Sequence, residues 1–158
     1  MVLNLTILVG TMTSTAEFVA QAVQLAAEED DVRIEIKPMD GLDASVFAGG
    51  GLFLICTSTY GQGDVPDNAK PLFASLQSGR PNLSNVQYGV IGLGDRTYAE
   101  TFCMGGKRFD ELLAQLGARR VGEMLLHDAS AGILAEDSAS EWAIGWMKCV
   151  RESRALAA

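Results

Sequence analysis

Residues 3–9 are almost entirely apolar or β-branched, broken only by Asn4 and Thr6, which predicts a central parallel strand buried on both faces and ending at Gly10. From Thr15 the period changes: Phe18, Val19, Ala22, Val23 and Ala26 form a helical stripe, and residues 28–31 are its acidic exit. Val32, Ile34 and Ile36 alternate with Arg33, Glu35 and Lys37, the pattern of a strand with one wet face at a sheet edge, closed by Pro38. Gly49, Gly50 and Gly51 read as a turn before a second doubly buried strand over residues 52–56. A helix over 66–79 follows, with Ala69, Leu72, Phe73 and Leu76 in its stripe, Pro66 near its start and Gly79 just past its end. A fourth strand is predicted over 88–93. Phe109, Leu112, Leu113 and Leu116 mark a third helix capped by Gly117. A fifth strand over 121–126 precedes a last helix carrying Trp142, Ala143, Trp146, Met147 and Val150, with a frayed tail over 153–158.

This alternation of strand and helix through five cycles predicts one α/β domain over residues 1–158: a doubly wound five-stranded parallel sheet with helices on both faces. An edge-like second strand and fully apolar first and third strands fit the order 2-1-3-4-5. In that topology a ligand binds beyond the carboxyl ends of strands one and three, at residues 11–15 and 57–64.

Composition narrows the function classes. A chain of 158 residues with 48% apolar and 20% charged side chains suits a compact domain with its own core. No uninterrupted apolar run reaches membrane-spanning length, and no basic segment precedes the first apolar run, so a cytoplasmic protein is expected. A formal charge of −8 argues against nucleic acid and membrane surfaces as partners and favours a basic protein met under electrostatic steering. Cys56, Cys103 and Cys149 are odd in number and widely spaced, which predicts buried or half-buried thiols and no metal site.

The candidate chemistry lies in three loops. Residues 10–15, GTMTST, join a buried strand to a helix and offer four hydroxyls beside free backbone N–H groups, a ready anion site. They contain no lysine and no nucleotide-triphosphate signature, so neutral donors holding a phosphate monoester fit better. Simple N-capping by Ser14 or Thr15 explains the same residues equally well. Tyr60 beside Gly61 and Gly63 offers a stacking face at the mouth of a central strand. Tyr98 follows the fourth strand, where it can face Tyr60 across a slot; two aromatics at adjacent strand ends suggest a planar ligand, although either alone reads as a surface residue.

Taken together, VGTMTSTAE (9–17), TSTYGQGDVPDN (57–68), YGVIGLGDRTYAETFC (88–103), GGKRFDELL (105–113) and RVGEMLLHDAS (120–130) resemble the flavodoxins, most closely the short-chain single-domain MioC-like and YqcA-type members. The likeness covers nearly the whole chain and implies FMN as cofactor. By this resemblance Thr11, Met12, Thr13, Ser14, Thr15 and Ala16 hold the phosphate. Tyr60 and Tyr98 stack on the isoalloxazine, and Gly61 offers its carbonyl to flavin N5. Thr57, Ser58, Thr59, Gly63 and Asp64 complete the first loop; Leu93, Gly94 and Asp95, with Phe102 and Cys103, complete the second. Asp128 stands where related flavin domains place an acidic residue near the ring. Ser14 departs from the glycine of many members, and Arg96 places a cation near the expected ring.

The implied activity is low-potential one-electron transfer from a basic-surfaced flavodoxin/ferredoxin NADP reductase, an NAD(P)H-dependent enzyme, to redox acceptor enzymes. The protein then sets potentials and access around the cofactor and is no stand-alone enzyme. Asp64, Asp67, Asp95 and Asp128 would lower the second potential, with Arg96 opposing them. A self-contained FMN-dependent NAD(P)H:quinone reductase is the alternative. A phosphate-receiver domain of the same fold needs an acidic pocket and a lysine where this chain has Gly10, Cys56 or Thr57, and His127, which reads as a solvated loop histidine.

Overall fold

The computed structural model describes residues 2–11 and 14–157. In chain order the elements are β1 (Leu3–Gly10), α1 (Thr15–Ala27), β2 (Val32–Pro38), β3 (Gly51–Thr57), α2 (Lys70–Gly79), β4 (Val86–Gly94), α3 (Met104–Gln115), β5 (Arg119–Arg120), β6 (Leu125–Asp128) and α4 (Ala135–Ala157). All strand pairs are parallel, in the order β2-β1-β3-β4-β5, and β6 also pairs with β4. This is the doubly wound sheet the hydrophobic pattern predicts.

Alternate strand residues feed two cores. On one face Leu5, Ile7, Val9, Leu52 and Leu54 pack with α1 and α4; on the other Leu8, Phe53, Ile55 and Val90 pack with α2 and α3. From Ile7 onward β1, like β3, is buried on both faces and shows no polar alternation, whereas edge strand β2 keeps Arg33 and Glu35 in solvent.

Several local readings are corrected. The predicted fifth strand over 121–126 is interrupted. Pairing advances from Tyr88 with Arg120 to Ile91 with Leu125, three residues on β4 against five on its neighbour. The extra residues leave the ladder where Gly122 takes φ +66°. There the Trp146 indole N–H donates to the Val121 carbonyl at 2.9 Å, supplying the partner the sheet withdraws. The α1 stripe is rotated: Ala16, Val19, Ala20, Val23 and Ala27 are buried, and Phe18 is 58% exposed. Gly79 ends α2 from inside, and Arg80 takes the left-handed cap. The tail predicted to fray continues α4 to Ala157. Cys149 is exposed, and His127 is a buried strand residue paired with Leu93.

No helix among the described residues is long and apolar enough to cross a membrane.

Candidate functional site

Parallel pairing brings the carboxyl ends of β1, β3, β4 and β6 to one edge: Gly10 lies beside Thr57, Thr57 beside Gly92, and Gly94 beside Asp128. The loops leaving these ends enclose an open cleft of about 610 Å³, within the range of a small-molecule site. Its lining includes Thr15, Ser58, Thr59, Tyr60, Gly61, Leu93, Gly94, Asp95 and Tyr98, together with Thr101 and Ala129.

The first wall is the turn from Tyr60 to Asp64. The Tyr60 and Asp64 main chains exchange hydrogen bonds at 2.8 and 2.9 Å, and the Gly63 N–H donates to the Tyr60 carbonyl at 3.2 Å. At its tip Gly61 has φ +54°, and a Cβ built there would meet nothing within 4 Å. The base is stitched to α3: the Gly105 N–H donates to Thr59 Oγ1 at 3.0 Å, Thr59 Oγ1 donates to the Leu93 carbonyl at 3.2 Å, and Arg108 Nε donates to the Gly63 carbonyl at 2.6 Å. Lys70 Nζ stands 5.6 Å from the Tyr60 ring centre.

The second wall is the 3₁₀ segment Arg96–Thr101, held by side chains. Asp95 caps it by accepting from the Thr97 N–H at 2.8 Å. Tyr98 breaks the helical geometry with ψ 68° and leaves its ring 67% exposed over the cleft. Asp128 Oδ1 accepts from the Arg96 N–H at 3.0 Å, the Ser130 hydroxyl at 2.7 Å and the Ser130 N–H at 2.9 Å. Those donors, the Arg96 amide first, hold the Asp128 carboxyl below the usual carboxylate range. Asp128 therefore buttresses the wall and is not part of its lining.

The Arg96 guanidinium lies 4.3 Å from the Phe102 ring centre and 3.7 Å from Asp128 Oδ2. Asp67 pairs with Lys70 at 3.0 Å. Two of the four predicted field-setting carboxylates thus carry a cationic partner, so their summed field is weaker than bare charges give.

At the start of α1 Ser14 occupies the N-cap position with φ +68° and makes no side-chain capping bond among the described residues. A left-handed serine costs about 1 kcal/mol, where a glycine would be unstrained. Met12 and Thr13 lie outside the described residues. Ala16, Thr57 and Cys103 are fully buried and belong to the packing behind the cleft. Gly63 packs against Met104, while Asp64 and Phe102 are outside the lining. Burial pushes the Cys56 thiol up to about 12 and the Cys103 thiol up to about 11, so neither is a thiolate nucleophile at neutral pH.

Sequence reasoning missed Thr101, Ala129, Arg108 and Asn68. Thr101 and Ala129 sit beside predicted residues and could have been found by extending those loops. Arg108 and Asn68 lie inside the quoted motifs, but their partners are distant in sequence.

The donor set fits a flat cofactor carrying one phosphate. Two exposed tyrosines and an unhindered glycine flank the slot, and Thr15 lines it from the start of α1. Comparison with known proteins agrees. The chain is 32% identical over 148 residues to Protein MioC of Escherichia coli, covering 94% of this chain and 99% of that one. It is 48% identical over 93 residues to Flavodoxin YqcA of Escherichia coli, covering 59% and 62%. A solved structure of flavodoxin from Pseudomonas aeruginosa, carrying one cysteine-to-alanine substitution, superimposes with a TM-score of 0.82 at 35% identity, over 94% of this chain and 99% of that one. The sequence profile of the Flavodoxin family matches residues 7–142. The chain belongs to the flavodoxin family, the FMN-binding electron carriers, and is of the short MioC and YqcA type.

Proposed function

We propose that residues 1–158 form a single FMN-binding unit that carries electrons one at a time, at low potential, from an NAD(P)H-dependent reductase with a basic docking surface to acceptor enzymes. FMN supplies the electron exchange; the protein supplies binding, potential and access. Ser14, Thr15 and the adjoining Thr11, Met12 and Thr13 hold the phosphate, with Ala16 packed behind them. Tyr60 and Tyr98 flank the ring, with Ser58, Thr59, Leu93, Gly94 and Asp95 along it. Gly61 sits where its peptide can turn toward a ring nitrogen, because the tip is free while the base is hydrogen-bonded shut.

One observation carries this reading: two exposed tyrosines on strand-end loops line the same cleft as Thr15, the first residue of α1. The chain's formal charge of −8 supports a basic partner.

The visible absorption spectrum of the purified protein should show bound flavin. NADPH alone should leave that absorption unchanged, and NADPH with a ferredoxin/flavodoxin-type reductase should bleach it. Bleaching by NADPH alone would instead assign a self-contained quinone reductase. A flavin-free protein that fails to take up added FMN would overturn both.

A further inference from the structure

Asn68 lies in the 3₁₀ turn Asp67–Ala69, half-buried behind the loop that leaves β1. Its side-chain amide grips three separate parts of the chain. Oδ1 accepts from the Thr11 N–H at 2.9 Å, while Nδ2 donates to the Val9 carbonyl at 3.2 Å and to Asp40 Oδ2 at 3.2 Å. Val9 and Thr11 flank Gly10, the last residue of β1. One planar group therefore holds the main chain on both sides of the point where the strand becomes the phosphate loop. Asp40, just beyond β2, receives the amide's other contact.

The chemistry selects an amide. A carboxylate only accepts hydrogen bonds, an ammonium only donates, and an apolar isostere does neither, whereas this position needs an acceptor for Thr11 and donors for Val9 and Asp40. Local capping does not explain it, because the N-cap of this turn is Pro66 and the first two bonds span 57 and 59 residues. The bond to Asn68 also commits the Thr11 N–H to the turn that precedes α2, so the main chain at the end of β1 is anchored by a side chain from another loop. Asn68 is not among the residues lining the tyrosine-walled cleft.

We infer that Asn68 is a positioning residue for the phosphate end of the site, and that it determines specificity for a phosphorylated flavin over the unphosphorylated one. It acts through the main chain of Val9 and Thr11, fixing the strand end from which the hydroxyl-rich segment starts, so that a phosphate monoester is held there. The inference rests on the FMN reading above. Because the grip is confined to this end, its loss should spare the ring contacts made by Tyr60 and Tyr98.

The test compares two ligands that differ only in the phosphate. The full chain, loaded with FMN or with riboflavin by exchange, is diluted, and release followed by flavin fluorescence gives a Kd for each. In Asn68→Ala the FMN Kd should rise about tenfold, equivalent to about 1.4 kcal/mol, while the riboflavin Kd stays within about twofold. Asn68→Asp keeps the acceptor for Thr11 but turns a carboxylate on the Val9 carbonyl and on Asp40, and should weaken FMN in the same selective way. Retained riboflavin binding reports that each variant is folded. Equal weakening of both ligands, or no weakening of FMN in either variant, would overturn the positioning role. A wild-type protein that binds riboflavin as tightly as FMN would overturn the phosphate assignment beneath it.

Discussion

The turn Tyr60–Asp64 and the segment Arg96–Thr101 face each other across one cleft, yet they are held by different forces. The first closes on itself through main-chain hydrogen bonds and is fastened to α3 at its base, leaving Gly61 free at the tip. The second carries one main-chain bond at its start, from the Tyr98 N–H to the Asp95 carbonyl at 3.0 Å, and leans on side chains for the rest. Its shape depends on the carboxylates of Asp95 and Asp128, which accept from the Thr97 and Arg96 amides. The first wall is thus a fastened base with one unhindered peptide, sensitive to backbone geometry. The second is a charge-held strut, sensitive to protonation.

The largest effect should come from breaking the fastening of the first wall. Gly105 lets α3 approach so closely that a Cβ there would overlap the Ser58 carbonyl oxygen, a backbone atom that cannot rotate aside. Overpacking of this kind costs about 1–3 kcal/mol, so Gly105→Ala should lower the melting temperature by about 2–12 °C and weaken FMN retention with it. Thermal unfolding followed by circular dichroism checks this. A midpoint within about 2 °C of wild type would show that α3 does not pin the wall.

Substitution at the tip sharpens the contrast, because Gly61 has space but a demanding conformation. With φ +54° and nothing near its virtual Cβ, Gly61→Ala meets strain of about 1 kcal/mol and no clash. Stability should change little. Loss of a peptide turn that donates or accepts one hydrogen bond is worth about 1 kcal/mol, or about 40 mV for one electron. The separation between the two one-electron potentials should therefore narrow by about that amount in a reductive titration, with Gly61→Asn, which tolerates the left-handed region, affected less. An unchanged separation would remove the tip from the redox role.

Much of this arrangement is legible in the sequence, and the exceptions share a cause. Doubly apolar strands, a glycine at the strand end and tyrosines at two loop mouths are local signals, and they give the sheet order and the cleft. The interruption at Gly122 is hidden because Val121, Met124, Leu125 and Leu126 keep an apolar pattern, while the bond that releases the strand comes from Trp146, 25 residues away. Hydrophobicity alone turns Phe18 inward, although the packing angle of α1 buries Ala16 and Ala20 instead. Asn68 and Arg108 carry no local signature of their roles, since each acts on main chain brought near only by the folded sheet.

The smallest predicted effect tests the charge-held wall. The folded Asp128 carboxyl lies below its ordinary value, chiefly because the Arg96 amide and the Ser130 hydroxyl donate to its charged form. A depressed carboxylate contributes its stabilisation above the unfolded value of about 3.9 and loses it as pH falls through the lower folded value. The Arg96 and Ser130 amide resonances should therefore titrate together in an NMR series, with a midpoint below about 3.9. The Gly105 amide of the opposite wall donates to the uncharged Thr59 hydroxyl and should stay flat over the same range. Asp128→Asn keeps an acceptor oxygen for Arg96 but has no proton to gain, so it should abolish the titration while leaving the wall in place at neutral pH. If Gly105 moved with Arg96, the two walls would be one cooperative unit and their separate means of support would have no functional meaning.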